Sequence, residues 1–234
     1  MYLGAVDRNK GVVRQNHKLQ EVARREENFA RWMEHPTSSI VHHEKACCEE
    51  ARLWFLAYAR SMESSALSRY RSKPPHWLSQ LFQWGPSEWP ISWCQLVNEN
   101  VIDCGVFAAL AREIFKAQGI DAHPAQVLLM YNETCTGHWK ELWKSGTQAK
   151  KGDKKKGPKN EQFFFPWIGN ELVYHEVCVV ETAGRARIYD STWGNWLESE
   201  HRVGYGSLLA IRTECPRILK WNNKTIGCGE WTSL

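Results

Sequence analysis

The stretch that decides the fold reads DCGVFAALAREIFKAQGIDA, from Asp103 to Ala122. Asp103 has the chemistry of a helix N-cap, Gly119 that of a C-terminal stop, and the residues between them are strongly apolar. A helix here is therefore bounded at both ends, and it carries Cys104 at its start. Unpaired amides and the positive end of the helix dipole favour the thiolate there, the nucleophilic form of cysteine. A cysteine in an apolar helix is more often a core residue, so the downstream neighbours matter. His175 in YHEV and Asp190 in YDST follow on two strand-like segments. Cysteine, histidine and aspartate in that order, on a helix and then a hairpin, point to acyl-transfer chemistry.

Two downstream segments have the make-up of a hairpin. LVYHEVCVVE (Leu172 to Glu181) and RARIYDS (Arg185 to Ser191) are rich in β-branched and aromatic residues, and Thr182-Ala183-Gly184 reads as a short turn. A two-residue loop at Ala183-Gly184 sets Thr182 opposite Arg185. His175 then faces Thr192 and Asp190 faces Val177. His175 and Asp190 become diagonal neighbours on one face, with Cβ atoms about 7 Å apart, within reach of an imidazole–carboxylate hydrogen bond. Val177, Val179 and Ile188 share that face, which is expected to be the buried one. A three-residue loop would turn Asp190 to the other side.

The run Cys104, Ala108, Leu110, Arg112, then Gly119, Ile120 and Ala122 (C-x3-A-x-L-x-R…G-I-x-A) resembles the core of the transglutaminase-like superfamily. The resemblance covers roughly Asn98 to Trp196 and includes a strand at about Ala122 to Tyr131 and the Asp-x-Thr signature at Asp190-Ser191-Thr192. It departs at Val177, where many members carry an aromatic residue two places after the histidine. It implies an α+β fold with a papain-like core, the nucleophile helix packed on an antiparallel sheet. It also implies roles. Cys104 attacks an amide or thioester carbonyl to give a thioester acyl-enzyme, His175 pairs with the thiolate and later protonates the leaving group, and Asp190 orients the imidazole. The acyl donor is then a peptide, a protein or a small molecule, and the acceptor is an amine or water. The superfamily also holds inactive relatives, so a binding or scaffold protein that keeps the fold without turnover is the competing reading.

An oxyanion hole needs donors near the tetrahedral oxygen, and the Cys104 amide is one candidate. A second is expected from WCQLVNENVIDC, with Gln95 ranked ahead of Asn98 and with the Trp93 indole and Asn100 also eligible. Thirteen tryptophans are many for 234 residues. Trp93, Trp167, Trp193 and Trp196 lie near the three candidate residues in sequence. They suit either an aromatic substrate wall or a core of large side chains.

Composition sets the outer bounds. The chain is long enough for one α+β domain, with residues 1–90 a helical extension packed on a core at 91–234. The net charge of +4 is local: Lys144 to Glu161 (KSGTQAKKGDKKKGPKNE) holds +5, which leaves the remainder at −1. That run reads as a solvated loop, and without interleaved aromatics it does not suggest nucleic-acid binding. No apolar run has transmembrane length, and MYLGAVDRNK lacks the layout of a secretion signal, so a cytoplasmic protein away from membranes is expected. The eight cysteines (47, 48, 94, 104, 135, 178, 215, 228) show no compact disulfide framework, so mostly free thiols are expected, with Cys215–Cys228 the favoured pair in an oxidising setting.

Helices are expected over Gln15 to Met33 and over about Ser39 to Tyr70. The second carries a packing stripe of Cys47, Ala51, Trp54, Phe55, Tyr58 and Met62. His43 and Cys47, with His42 and Cys48 beside them, offer a metal edge, as does Cys135-x-x-His138. Neither has a further ligand pair at a fitting spacing, so no metal and no cofactor is expected. Pro74-Pro75 and Gly85 to Pro90 read as the connector between extension and core.

Overall fold

The computed structural model describes residues 40–41, 46–64, 77–87, 91–131, 140–142, 144–145, 167–168, 172–182, 185–197, 202–203, 206–213, 218–221 and 224–233. Within them the chain is mixed helix and sheet. Strand β1 (Ile40–Val41) precedes helix α1 (Ala46–Ser64). The short helix α2 (Leu78–Leu81) leads into β2 (Gln83–Trp84). Then come β3 (Ile91–Ser92), α3 (Trp93–Leu96), β4 (Val101–Ile102) and α4 (Cys104–Ala117). The expected helices at Gln15 to Met33 and beyond Ser64, the metal edges at His42, His43, Cys135 and His138, most of the lysine run and the Pro74-Pro75 connector lie outside the described residues.

After α4 the chain builds one antiparallel sheet. It comprises β5 (Asp121–Tyr131), β6 (Trp167–Ile168), β7 (Leu172–Thr182), β8 (Arg185–Asp190), β9 (Asn195–Leu197), β10 (Arg202–Val203) and β11 (Gly206–Thr213). The order across it is β10-β11-β5-β7-β8-β9, with β6 added to β7. A hairpin of β12 (Leu219–Trp221) and β13 (Lys224–Ile226) packs through β12 on β8, and β14 (Thr232–Ser233) pairs with β11. No helix among the described residues is long and apolar enough to cross a membrane.

Helix α4 forms where its caps allow. The Asp103 carboxylate accepts from the Val106 amide at 2.9 Å. At the other end Gly119 adopts φ +76°, the Gly119 amide donates to the Lys116 carbonyl and the Ile120 amide to the Phe115 carbonyl. This is the paired 5→2 and 6→1 closure that a left-handed glycine permits. Val106, Phe107, Leu110, Ile114 and Phe115 are all buried, so the helix is enclosed rather than one-sided. Each such side chain withdrawn from water contributes about 1.5–3 kcal/mol.

Three expectations need correction. The helix expected from about Ser39 begins only at Ala46, because Ile40–Val41 is taken up as a strand beside Ile91–Ser92. The α1 stripe is rotated: Cys48, Ala51, Phe55 and Ala59 form its buried face, whereas Trp54 is 56% exposed and stacks on Tyr58, one turn on, at 5.7 Å. Phe55 instead meets Trp77 and Trp93, so the large partners at the starts of α2 and α3 decide which face turns inward. Among the described cysteines the thiols are also not mostly free, and Cys215 of the favoured pair lies outside the described residues. Cys47 is bonded to Cys94 and Cys228 is in a disulfide, while Cys48, Cys104 and Cys178 are free. The first pairing follows from the parallel register of β1 beside β3 (Ile40 with Ile91, Val41 with Ser92), which starts α1 and α3 side by side.

Candidate active site

The approach to Cys104 is fixed from two directions. Strand β2 pairs in parallel with β4, and backbone bonds from Gln83 to Asn100 (2.8 Å) and from Gly85 to Ile102 (3.1 Å) hold the segment that leads into the cap. The Asp103 amide donates to Ser87 Oγ at 3.2 Å. With Val101 and Ile102 buried, the chain enters the helix at one angle, and Cys104 sits at its first position with 7% exposure.

Strands β7 and β8 meet in the expected register. Thr182 faces Arg185 and Cys178 faces Tyr189. His175 and Asp190 therefore share a face, and His175 Nε2 lies 3.0 Å from Asp190 Oδ1. Both residues are buried. The same oxygen accepts from the Thr192 amide at 3.1 Å, which closes the turn after the strand. That turn ends at Gly194, with φ +69°.

The other face is buried as well, contrary to the expectation of one apolar side. Cys178, Val180 and Tyr189 lie there, and Phe115 of α4 meets Tyr189 edge-on at 5.7 Å. Burial raises both the Cys178 thiol and the Tyr189 phenol. Strand β8 pairs with β7 only from Cys178 onward. Upstream of it the Glu176 backbone amide is directed at the Cys104 sulfur, so the thiol reaches β7 one residue from His175.

The electrostatics differ from the sequence expectation of a favoured thiolate. Burial pushes the Cys104 thiol well up, and the Glu176, Asp103 and Asp190 carboxylates push the same way. The Glu176 amide opposes them by donating to the sulfur. Desolvation and three nearby anions outweigh the helix start, since a charge costs more where water is excluded.

The remaining candidates are spread around this centre. Gln95 is exposed, and its Oε1 accepts from the Ser92 amide (2.9 Å) and Ser92 Oγ (2.8 Å) in a capping box. Asn98 Nδ2 donates to the Cys94 carbonyl at 3.4 Å. The Trp93 ring packs on Phe55 of α1. Trp193 meets Trp84 at 5.5 Å, which joins the turn after Asp190 to the strand that pairs with β4.

Three linked polar residues on the sheet, of which Glu176 reaches the Cys104 sulfur, were not read from the sequence. Arg212 Nε donates to Gln126 Oε1 at 2.8 Å, and Gln126 Nε2 donates to Glu176 Oε1 at 3.3 Å. These side chains occupy matched positions on β11, β5 and β7. Arg212 also lies over the Trp231 ring at 4.3 Å. A charged residue inside the apolar run LLAIRT was the available signal that a buried partner exists. Neither a family model nor a curated protein matches this chain.

Proposed function

We propose that the protein is a cysteine-dependent acyltransferase or hydrolase with a transglutaminase-like core, acting on an amide or thioester carbonyl through a thioester acyl-enzyme. The observation that carries this reading is the buried His175–Asp190 pair at 3.0 Å, one residue along β7 from the amide that meets the Cys104 sulfur. Asp190 engages Nε2, so Nδ1 is the ring nitrogen required against the thiol. Because burial keeps that thiol protonated, His175 removes its proton as the sulfur attacks rather than storing a thiolate beforehand. Asp190 stabilises the imidazolium, which then protonates the leaving amine or thiol. The Cys104 amide at the helix start is an oxyanion donor. An amine or water accepts the acyl group, and the Trp84–Trp193 pair supplies an apolar wall. A cytosolic, reducing setting suits this thiol chemistry.

A specific observation favours the second reading, a scaffold without turnover: Cys104 is 7% exposed and its thiol is raised. Intact-protein mass spectrometry separates the two. With a small acyl thioester, the enzyme gains one acyl group, and an added amine discharges it as an amide. Cys104→Ala abolishes the adduct and His175→Ala slows it at least a hundredfold, with the fold unchanged by circular dichroism. A wild-type protein that never acylates across acetyl, benzoyl and peptidyl donors is the scaffold.

A further inference from the structure

Three cysteines other than Cys104 converge where α1 and α3 start. Cys47 and Cys48 are the second and third residues of α1, and Cys94 is the second residue of α3. Their sulfur atoms all lie within 4.8 Å of one another. Cys47 is joined to Cys94, and the Cys48 sulfur stands 2.8 Å from that of Cys94. Cys48 is fully buried, whereas Cys47 is exposed. A disulfide needs two cysteines and gives no reason for a third sulfur to be buried against it. A thiophilic ion does.

The backbone brings this set together from positions 47 apart in sequence. The parallel pairing of β1 with β3 aligns the starts of α1 and α3. At the first turn of α1, a 19-residue helix, unpaired amides and the positive dipole end offset the repulsion among clustered thiolates. Soft sulfur donors select d10 ions such as zinc over hard cations.

We propose that Cys47, Cys48 and Cys94 of the reduced protein bind one soft d10 cation, of which zinc is the type, as three thiolates. They fill three positions of a tetrahedral ion, and a ligand outside this group supplies the fourth. Leaving the disulfide state consumes two electrons and two protons and yields two thiols: a dithiol supplies both and becomes a disulfide, whereas a phosphine supplies the electrons, becomes the phosphine oxide, and water supplies the protons. Binding of the divalent ion then displaces three thiol protons into solvent. The ion clamps the start of α1 to α3, the segment that runs through β4 to Cys104. This site stands independently of the reading of Cys104 as a nucleophile.

The test uses the full chain carrying Cys104→Ser, which removes a competing thiol, reduced with a phosphine and desalted without oxygen. Cobalt(II) is the probe. One equivalent is expected to give near-ultraviolet sulfur-to-cobalt charge transfer and the visible bands of a tetrahedral ion. Zinc(II) should bleach both and raise the thermal midpoint. Cys48→Ser and Cys94→Ser should each weaken binding at least tenfold, and Cys178→Ser should leave it unchanged. Cys47→Ser alters an exposed thiol and so spares the core; it too should weaken binding if a buried variant misfolds. Absence of the charge-transfer band, binding that survives Cys47→Ser, or a Cys47–Cys94 disulfide that persists through reduction of the folded protein would each overturn the proposal.

Discussion

At the scale of single residues, the balance around Cys104 is set by water exclusion. A helix start presents about half a positive charge to a thiolate, but desolvation and the Glu176, Asp103 and Asp190 carboxylates hold the proton on sulfur. Iodoacetamide should therefore label Cys104 more slowly at neutral pH than a free thiol of pKa about 8.5, with the rate climbing only in alkaline solution. Peptide mass spectrometry across pH reads this directly; fast labelling near pH 6 would mean a stored ion pair instead. Asp190 has a separable role. On the proposed mechanism, Asp190→Asn keeps the volume but loses the carboxylate that would hold the ring and its imidazolium, so acylation should fall on the order of 10²- to 10⁴-fold. Stopped mass-spectrometric time courses would show whether the loss lies in acylation, as a positioning role requires. Neither the Glu176 amide nor the Gln126–Arg212 chain was legible beforehand. Gln126 and Arg212 are 86 positions apart and meet only because β11 and β5 are neighbours.

At the scale of elements, the two most local readings met the structure closely. Asp103 caps α4 and Gly119 ends it, because capping is settled by the few residues at each terminus. Asp103→Ala should destabilise the protein by about 1 kcal/mol. Gly119→Ala has free space around the new Cβ, yet it forces a left-handed backbone on a residue that resists it, at about 1–2 kcal/mol. Denaturant midpoints at constant slope would report both. The β7–β8 hairpin carries a sharper expectation, since two residues separate Thr182 from Arg185. Inserting one glycine between them should turn Asp190 to the opposite face and abolish acylation in a protein that still folds. Helix α1 shows where element-level reading fails. Its apolar residues allow more than one face, and Trp77 and Trp93, contributed by other segments, select the Phe55 side.

For the whole molecule, the same burial that shapes the site ties stability to pH. Cys104 and Cys178 have thiols raised by desolvation, so above about pH 8.5 the unfolded chain releases protons that the native state retains. The unfolded state then binds fewer protons, and stability falls as pH rises from that point; below it the contribution is fully present. Tyr189, raised by the same cause, extends the loss above about pH 10. Urea titrations of the reduced protein at pH 7, 8.5 and 10 should show a progressive fall, and Cys178→Val should flatten part of it. An unchanged midpoint would contradict the burial of these thiols. The mixed α+β composition, the capped helix with Cys104 at its head and the hairpin that pairs His175 with Asp190 were legible from the residues alone. Each of these rests on periodicity, capping or turn length over a few neighbouring residues. The packing of distant segments settles instead that burial raises the thiol, that Glu176, Gln126 and Arg212 line up across β7, β5 and β11, and that Cys94 meets Cys47 and Cys48. Those outcomes depend on desolvation and on strand neighbours dozens of residues apart, and no local pattern in the chain encodes which distant segments will meet.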